Sequence, residues 1–159
     1  MPDMLVKLYE LPDKQPFIEK TESHGVRIKR ALSADKSRIV DFVRKHFTEN
    51  WANECECAFA QLPSNAFIAV KDKEVVGFAC YDAVVRDFFG PTGVREDCRG
   101  QGIGAALLVT TLHAMKEAGY GYAIIGWVSE ALGFYERTVG AIAIENSFPG
   151  VYRDLAIME

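Results

Sequence analysis

Apolar positions recur along this chain with two different spacings, and the switches between them divide it into strands and helices. "GVRIKRAL", residues 25–32, alternates in the manner of a strand. "SADKSRIVDFVRKHF" then places Ile39, Phe42, Val43 and Phe47 on one helical stripe, with Ser33 available as its cap. A shorter helix is predicted within "ENWANECECAFAQL", ended by Pro63. "AFIAVKDKEVVGFACYDAVV" reads as two alternating runs joined at Asp72 and Lys73, a β-hairpin, and "FFGPTGV" as a further strand. The helix after it runs to about Ala118, with Lys116 in its last turn and Gly119 as its stop. "YAIIGWV" has the continuous apolar character of a central strand. "EALGFYERTV" is a helix stopped by Gly140, and "AIAIE" and "VYRDLAIM" read as closing strands.

The least determined segment is 1–24, an N-terminal extension in which "MLVKLYEL" reads as an edge strand that "PDKQP" breaks. From residue 25 the predicted order is β-α-α-β-β-β-α-β-α-β-β. That order describes an α+β fold: a mixed, mostly antiparallel sheet flanked by helices, with one β-α-β crossover. At 159 residues, with no repeat and no linker composition, the chain reads as a single domain, 1–159.

Composition narrows the partners. The net charge is -4, from 18 basic and 22 acidic residues, with no basic block, which argues against nucleic acid and mildly favours a cationic partner. No apolar run approaches the roughly 20 residues that cross a bilayer, and the first residues do not read as a signal peptide, so a cytoplasmic location is expected. Cys55, Cys57, Cys80 and Cys98 lack the spacing of a zinc site, and His24, His46 and His113 are scattered; reduced thiols and no metal are expected.

One stretch needs a ligand to explain it. "CRGQGIGAALL", residues 98–108, carries glycines at 100, 102 and 104 at the mouth of a helix. A helix N-terminus offers unpaired N–H groups and about half a positive charge, and glycines expose that backbone. An anion such as a diphosphate would sit on the amides of Gly100, Gly102, Gly104 and Ala105. A tight turn without a ligand would need one glycine. The absence of Lys-Ser or Lys-Thr after the glycines rules out a nucleoside-triphosphatase loop, and the hairpin before it rules out a dinucleotide-binding unit.

"VREDCRGQGIGAAL", followed after a strand by "ALGFYERTVGA", resembles the GNAT superfamily of acyl-CoA-dependent N-acyltransferases over roughly residues 25–159. Arg99, Gly102 and Gly104 match that family's pyrophosphate motif. The resemblance implies a GNAT-like sheet with its crossover at the loop, and acetyl-CoA bound along Arg99, Gly100, Gln101, Gly102, Ile103, Gly104 and Ala105. It implies a pantetheine arm between two splayed parallel strands, one ending at Val94 and one at Trp127. Backbone groups at Val94 would contact the arm and stabilise the oxyanion. Glu96 stands where the family often has proline, and Val128 where it often has an asparagine that bonds the cofactor.

Transfer from a thioester to an amine needs a neutral amine, a stabilised oxyanion and a stabilised leaving thiolate. Tyr135, in "FYE", resembles the family's general acid; packed beside Phe134 it would also serve as an ordinary core tyrosine. A covalent route through Cys98 or Cys80 lacks an activating histidine nearby in sequence. Asp82, Asp87, Glu54 and Glu56 are open candidates for the base. Trp51, Glu54, Phe88, Phe89 and Phe148 fall where the acceptor side is built, and suit a cationic amine, a homodimer interface or a core. The expected function is therefore direct N-acetylation of a small primary amine. The alternatives are acetylation of a protein N-terminus or lysine, and a CoA-binding sensor without turnover.

Overall fold

The computed structural model describes residues 1–156, so the end of the "VYRDLAIM" segment lies outside the described residues. The chain forms β1 (Met4–Lys7), α1 (Gln15–Ser23), β2 (Arg27–Arg30), α2 (Lys36–His46), α3 (Glu49–Cys57), β3 (Ala66–Lys71) and β4 (Glu74–Tyr81). It continues through β5 (Phe88–Val94), α4 (Ile103–Glu117), β6 (Tyr122–Ile125), α5 (Leu132–Val139) and β7 (Ile142–Ala143). Among the described residues the sheet has seven strands, in the order β2-β3-β4-β5-β6-β1-β7. Every pairing is antiparallel except β5 with β6, which are joined through α4. The expected α+β class and its single β-α-β crossover are what the chain adopts.

Alternation along the strands divides the core between two faces. On β4, Ala79 and Tyr81 face the cluster that contains Leu107, Leu108, Leu112 and Met115 of α4. Phe78 and Cys80 face the other cluster, built with Ile39 and Val43 of α2 and Ala52 and Cys55 of α3. Asp72 and Lys73 turn the hairpin at positive φ, 51° and 65°, the backbone that a two-residue hairpin with right-handed strand twist requires.

Three sequence expectations need correction, and the segment left undecided around "PDKQP" takes a definite form. β1 is not an edge strand: it lies between β6 and β7, pairing with both, with Met4 and Val6 fully buried. The segment after "PDKQP" is a helix, because Pro16 sits in the first turn of α1, where its missing N–H costs nothing. Ser33 opens a 3-10 turn, Ser33–Asp35, and the regular helix begins at Lys36. Finally, Gly150–Asp154 form a 3-10 turn instead of a strand, and β7 keeps only two residues of "AIAIE".

Candidate active site

β5 and β6 pair only at Phe88 with Ile124 and Phe89 with Ile125. Beyond that point β5 continues alone against β4, and the two parallel strands part. A cavity of about 1020 Å³ opens along the parting, walled by β5, by α3 and by the segment after β6.

The polarity of β5 at this opening follows from its register. Arg95 N–H donates to the Val76 carbonyl at 2.8 Å, so that pair is hydrogen-bonded, as Gly93 with Phe78 must be two residues along. Thr92 and Val94 fall on the alternate pairs, and their N–H groups point away from β4, toward the opening. Val94 thus turns its N–H to the side that β6 leaves open, and Val94 is not itself among the residues lining the cavity. Its carbonyl accepts from Arg99 Nε at 3.4 Å, which draws Arg99 back along the strand end.

The glycine loop stands at the same end of the sheet. Gly100 and Gly102 have φ of 85° and 80°, so the turn itself takes two glycines and not the one that the sequence reading allowed it. Gly104 is different: it lies inside α4 without positive φ, and a Cβ there would have only Val94 Cγ2 at 3.7 Å and Phe134 at 4.0 Å for neighbours. Its missing side chain leaves helix backbone open. No side chain among the described residues caps α4, and its first internal bond is Ala106 N–H to the Gly102 carbonyl at 3.1 Å. The amides of Gly102, Ile103, Gly104 and Ala105 precede that bond and have no acceptor within the helix.

Two cations that sequence reasoning missed flank this loop. Lys20, on α1, lays its aliphatic stem over Gly102, with Cδ 3.0 Å from where a Cβ would stand. Lys71 Nζ reaches Gln101 Oε1 at 3.4 Å. Nothing in the pattern of residues 1–24 marks Lys20; α1 has to fold before that side chain has a place.

Tyr135 lines the cavity and is otherwise buried, its ring edge-on to Phe89 at 6.5 Å. Burial pushes its phenol up to about 12. The same cavity is lined by Glu54 and Trp51 of α3, placed by a helix whose start Thr48 caps by accepting the Trp51 N–H at 3.1 Å. Burial raises the Glu54 carboxyl to about 7, and no cation pairs with it among the described residues. The other wall holds Trp127 and Tyr152, rings 4.3 Å apart, and the Tyr152 phenol is raised by burial first and by Glu54 next.

The remaining candidates separate cleanly. Glu56 is exposed and paired with Lys36 at 3.6 Å. Asp82 accepts from the Tyr120 hydroxyl at 2.7 Å and from the Asp87 N–H at 2.7 Å, in a second cavity beside the C-terminal end of α4. Phe88 is buried against Gly126, and Phe148 stacks on the outside of Trp127. Of the expected acceptor-side residues, Trp51, Glu54 and Phe89 line the cavity; Phe88 and Phe148 do not. Val128 lines it too, but gives its N–H to the Pro2 carbonyl at 2.9 Å, so its backbone donor is already spent. Cys80 and Cys98 are buried away from the opening, and Cys80 is held well above its ordinary range by the Cys55 thiol and by burial. No cluster of His, Cys, Asp and Glu among the described residues could hold a metal.

Residues 30–141 match the model of the acetyltransferase (GNAT) family, most of the chain, and the chain belongs to that family. The GCN5-related glucosamine N-acetyltransferase region of a fungal multi-domain GH3 β-N-acetylglucosaminidase is similar at 15% identity and a TM-score of 0.73, over 90% of this chain and 19% of that one. A GCN5-related N-acetyltransferase from Sphaerobacter thermophilus is similar at 18% identity and a TM-score of 0.68, over 90% of this chain and 48% of that one. A GNAT family acetyltransferase from Brucella melitensis, solved with acetyl-CoA, aligns at 20% identity and a TM-score of 0.53 over 76% of this chain and 89% of that one. The chain therefore spans about a fifth and about half of the first two. No curated protein sequence matches it. No described helix is long and apolar enough to cross a membrane.

Proposed function

We propose that this protein transfers an acetyl group from acetyl-CoA directly to the primary amine of a small molecule. The observation that carries the reading is the pairing of Tyr135 and Glu54 in one cavity at the β5–β6 parting, beside an uncapped helix N-terminus.

The loop amides and the flanking Lys20, Lys71 and Arg99 suit the pyrophosphate, which leaves the thioester to enter the parting. An amine arrives as an ammonium of pKa about 10.4, and Glu54, raised to about 7, is a stronger base than an ordinary carboxylate. Glu54 takes one proton, and the freed lone pair attacks the thioester carbonyl. The oxyanion that forms accepts from Val94 N–H. When the tetrahedral intermediate collapses, the C–S bond breaks, the new C–N bond remains and the nitrogen loses its second proton to solvent. The departing sulfur resembles an alkyl thiol of pKa about 8.5, well below the Tyr135 phenol. Tyr135 therefore stabilises the thiolate by donating a hydrogen bond, and the proton that completes CoA thiol is supplied through solvent. The net reaction turns an ammonium and acetyl-CoA into an amide, CoA thiol and a proton.

Buried thiols away from the cavity favour this direct route over an acetyl-cysteine. The fungal relative is a glucosamine N-acetyltransferase region, and an amino sugar is a small amine of the kind proposed. Release of CoA thiol is measured with a panel of small amines and lysine-containing peptides. Turnover with amines alone supports the reading; turnover with peptides alone replaces it by protein acetylation, and tight acetyl-CoA binding without turnover replaces it by a sensor.

A further inference from the structure

The cavity is rich in aromatic rings and poor in charge. Trp51, Phe89, Trp127 and Tyr152 supply its walls, and among the described residues only two carboxylates, Glu49 and Glu54, line it. Glu49 is paired, its Oε2 accepting from Arg44 Nε at 2.8 Å, a guanidinium it shares with Asp41. Of the four acids that the sequence offered as base candidates, Glu56 is paired with Lys36, Asp82 lines the second cavity and accepts from Tyr120, and Asp87, whose backbone N–H bonds Asp82, does not line the first cavity. Among the described residues, Glu54 is the one carboxylate lining the cavity that no cation pairs with.

A polyamine or aminoglycoside-like acceptor brings several ammonium groups. Glu54 can meet one of them, and each further one would be stripped of water against ring faces with no counter-charge, a cost that cation–π attraction offsets only in part. A monoamine with an apolar or aromatic body suits both features: the ammonium meets Glu54 and the body lies between Trp51 and the Trp127–Tyr152 pair.

We propose that the acceptor is a monoamine whose amino group stands a short linker away from an aromatic or bulky apolar body. The proposal rests on the acetyltransferase reading above and sharpens it.

Initial rates with acetyl-CoA are compared for 2-phenylethylamine, ethanolamine, glucosamine and spermidine, alongside the Trp51→Leu variant. The expected result is a kcat/KM for 2-phenylethylamine about tenfold or more above each of the other three. Trp51→Leu should lower that value by about tenfold while moving ethanolamine by less than about twofold. A preference for spermidine or glucosamine overturns the acceptor class and leaves the acetyltransferase reading intact, as does an equal effect of Trp51→Leu on all four amines. Acetyl-CoA binding without turnover of any of them overturns both.

Discussion

The carboxylate of Asp3 accepts the backbone N–H of Trp127 at 3.1 Å, tying the third residue of the chain to the wall of the cavity. Trp127 is held at a φ of 50°, an uncommon backbone for a bulky side chain, and its Nε1 donates to the Pro149 carbonyl at 2.8 Å. Asp3 also gives its N–H to Ser147 Oγ at 2.7 Å, and its carbonyl accepts the Ile144 N–H at 2.8 Å. One residue thus fastens the end of β6 to the segment that carries Tyr152. Asp3→Ala should leave the Trp127 N–H without its acceptor and destabilise the protein by about 1–3 kcal/mol. In the folded variant the acceptor KM should rise several-fold while acetyl-CoA affinity stays within about twofold, because the glycine loop is untouched. Thermal melts and titration with acetyl-CoA check both halves.

Glu54 gives two pH effects of known sign. The amine loses its proton to the ionised carboxylate, so kcat/KM for the acceptor should rise with pH through about 7 in the wild type, and Glu54→Gln should lose that limb along with about 10²-fold in rate. Stability moves the other way. The folded pKa lies above the unfolded one, so the protonated form is favoured on folding, and that contribution is full below about 4.5 and lost as pH rises through about 7. Glu54→Gln should therefore stabilise the protein at pH 8, by roughly 1–2 kcal/mol once the remaining hydration of the carboxylate is allowed for, and give no gain at about pH 4.5. Melting curves at the two pH values read the difference.

Tyr135→Phe removes one oxygen and keeps the ring against Phe89. The phenol titrates near 12, so it is a donor throughout the working range and its loss should lower kcat by about 10²-fold without altering the shape of the profile below about pH 9. Acetyl-CoA affinity should hardly change. Steady-state kinetics from about pH 6 to 9 are the check.

At the loop, Gly104 is the informative position because its backbone does not need glycine. Gly104→Ala adds a carbon with only ordinary contacts around it and should fold well. Gly104→Val projects branched carbons over the free amides, and should weaken acetyl-CoA binding by about tenfold or more while the melting temperature falls little. Gly102→Val would confuse the two effects, since φ there is 80° and Lys20 crowds the space. Calorimetry on the Gly104 pair separates approach of the ligand from strain in the turn. Lys20→Ala removes one cation beside the loop, so acetyl-CoA affinity should fall less steeply with added salt than in the wild type. Titrations at two ionic strengths read that slope.

Much of this was legible in the residues. The hairpin turn at Asp72-Lys73, the helix after the glycines and the central β6 follow from local pattern. The rest depends on tertiary placement. "MLVKLYEL" alternates like any strand, and nothing local says whether a strand lies at an edge or between two partners. Pro16 punctuates the chain whether it ends one element or starts another. Four acids looked equivalent in sequence; only packing shows that Glu54 alone is both in the cavity and unpaired. A Cβ at Gly93 would lie 2.5 Å from the Phe47 ring, so the close approach of the end of α2 to β5 needs glycine there, a contact that only the fold reveals.

Direct transfer means that the acetyl group passes from sulfur to amine nitrogen in one cavity with no protein carrier. Single-turnover mixing puts this to the test: protein loaded with acetyl-labelled acetyl-CoA meets 2-phenylethylamine, and samples quenched over time are read by mass spectrometry. Labelled amide and CoA thiol should appear together at one rate, with no label on the protein at any time. Label on Cys80 or Cys98 before the amide forms, or thiol released without amide, would refute direct transfer.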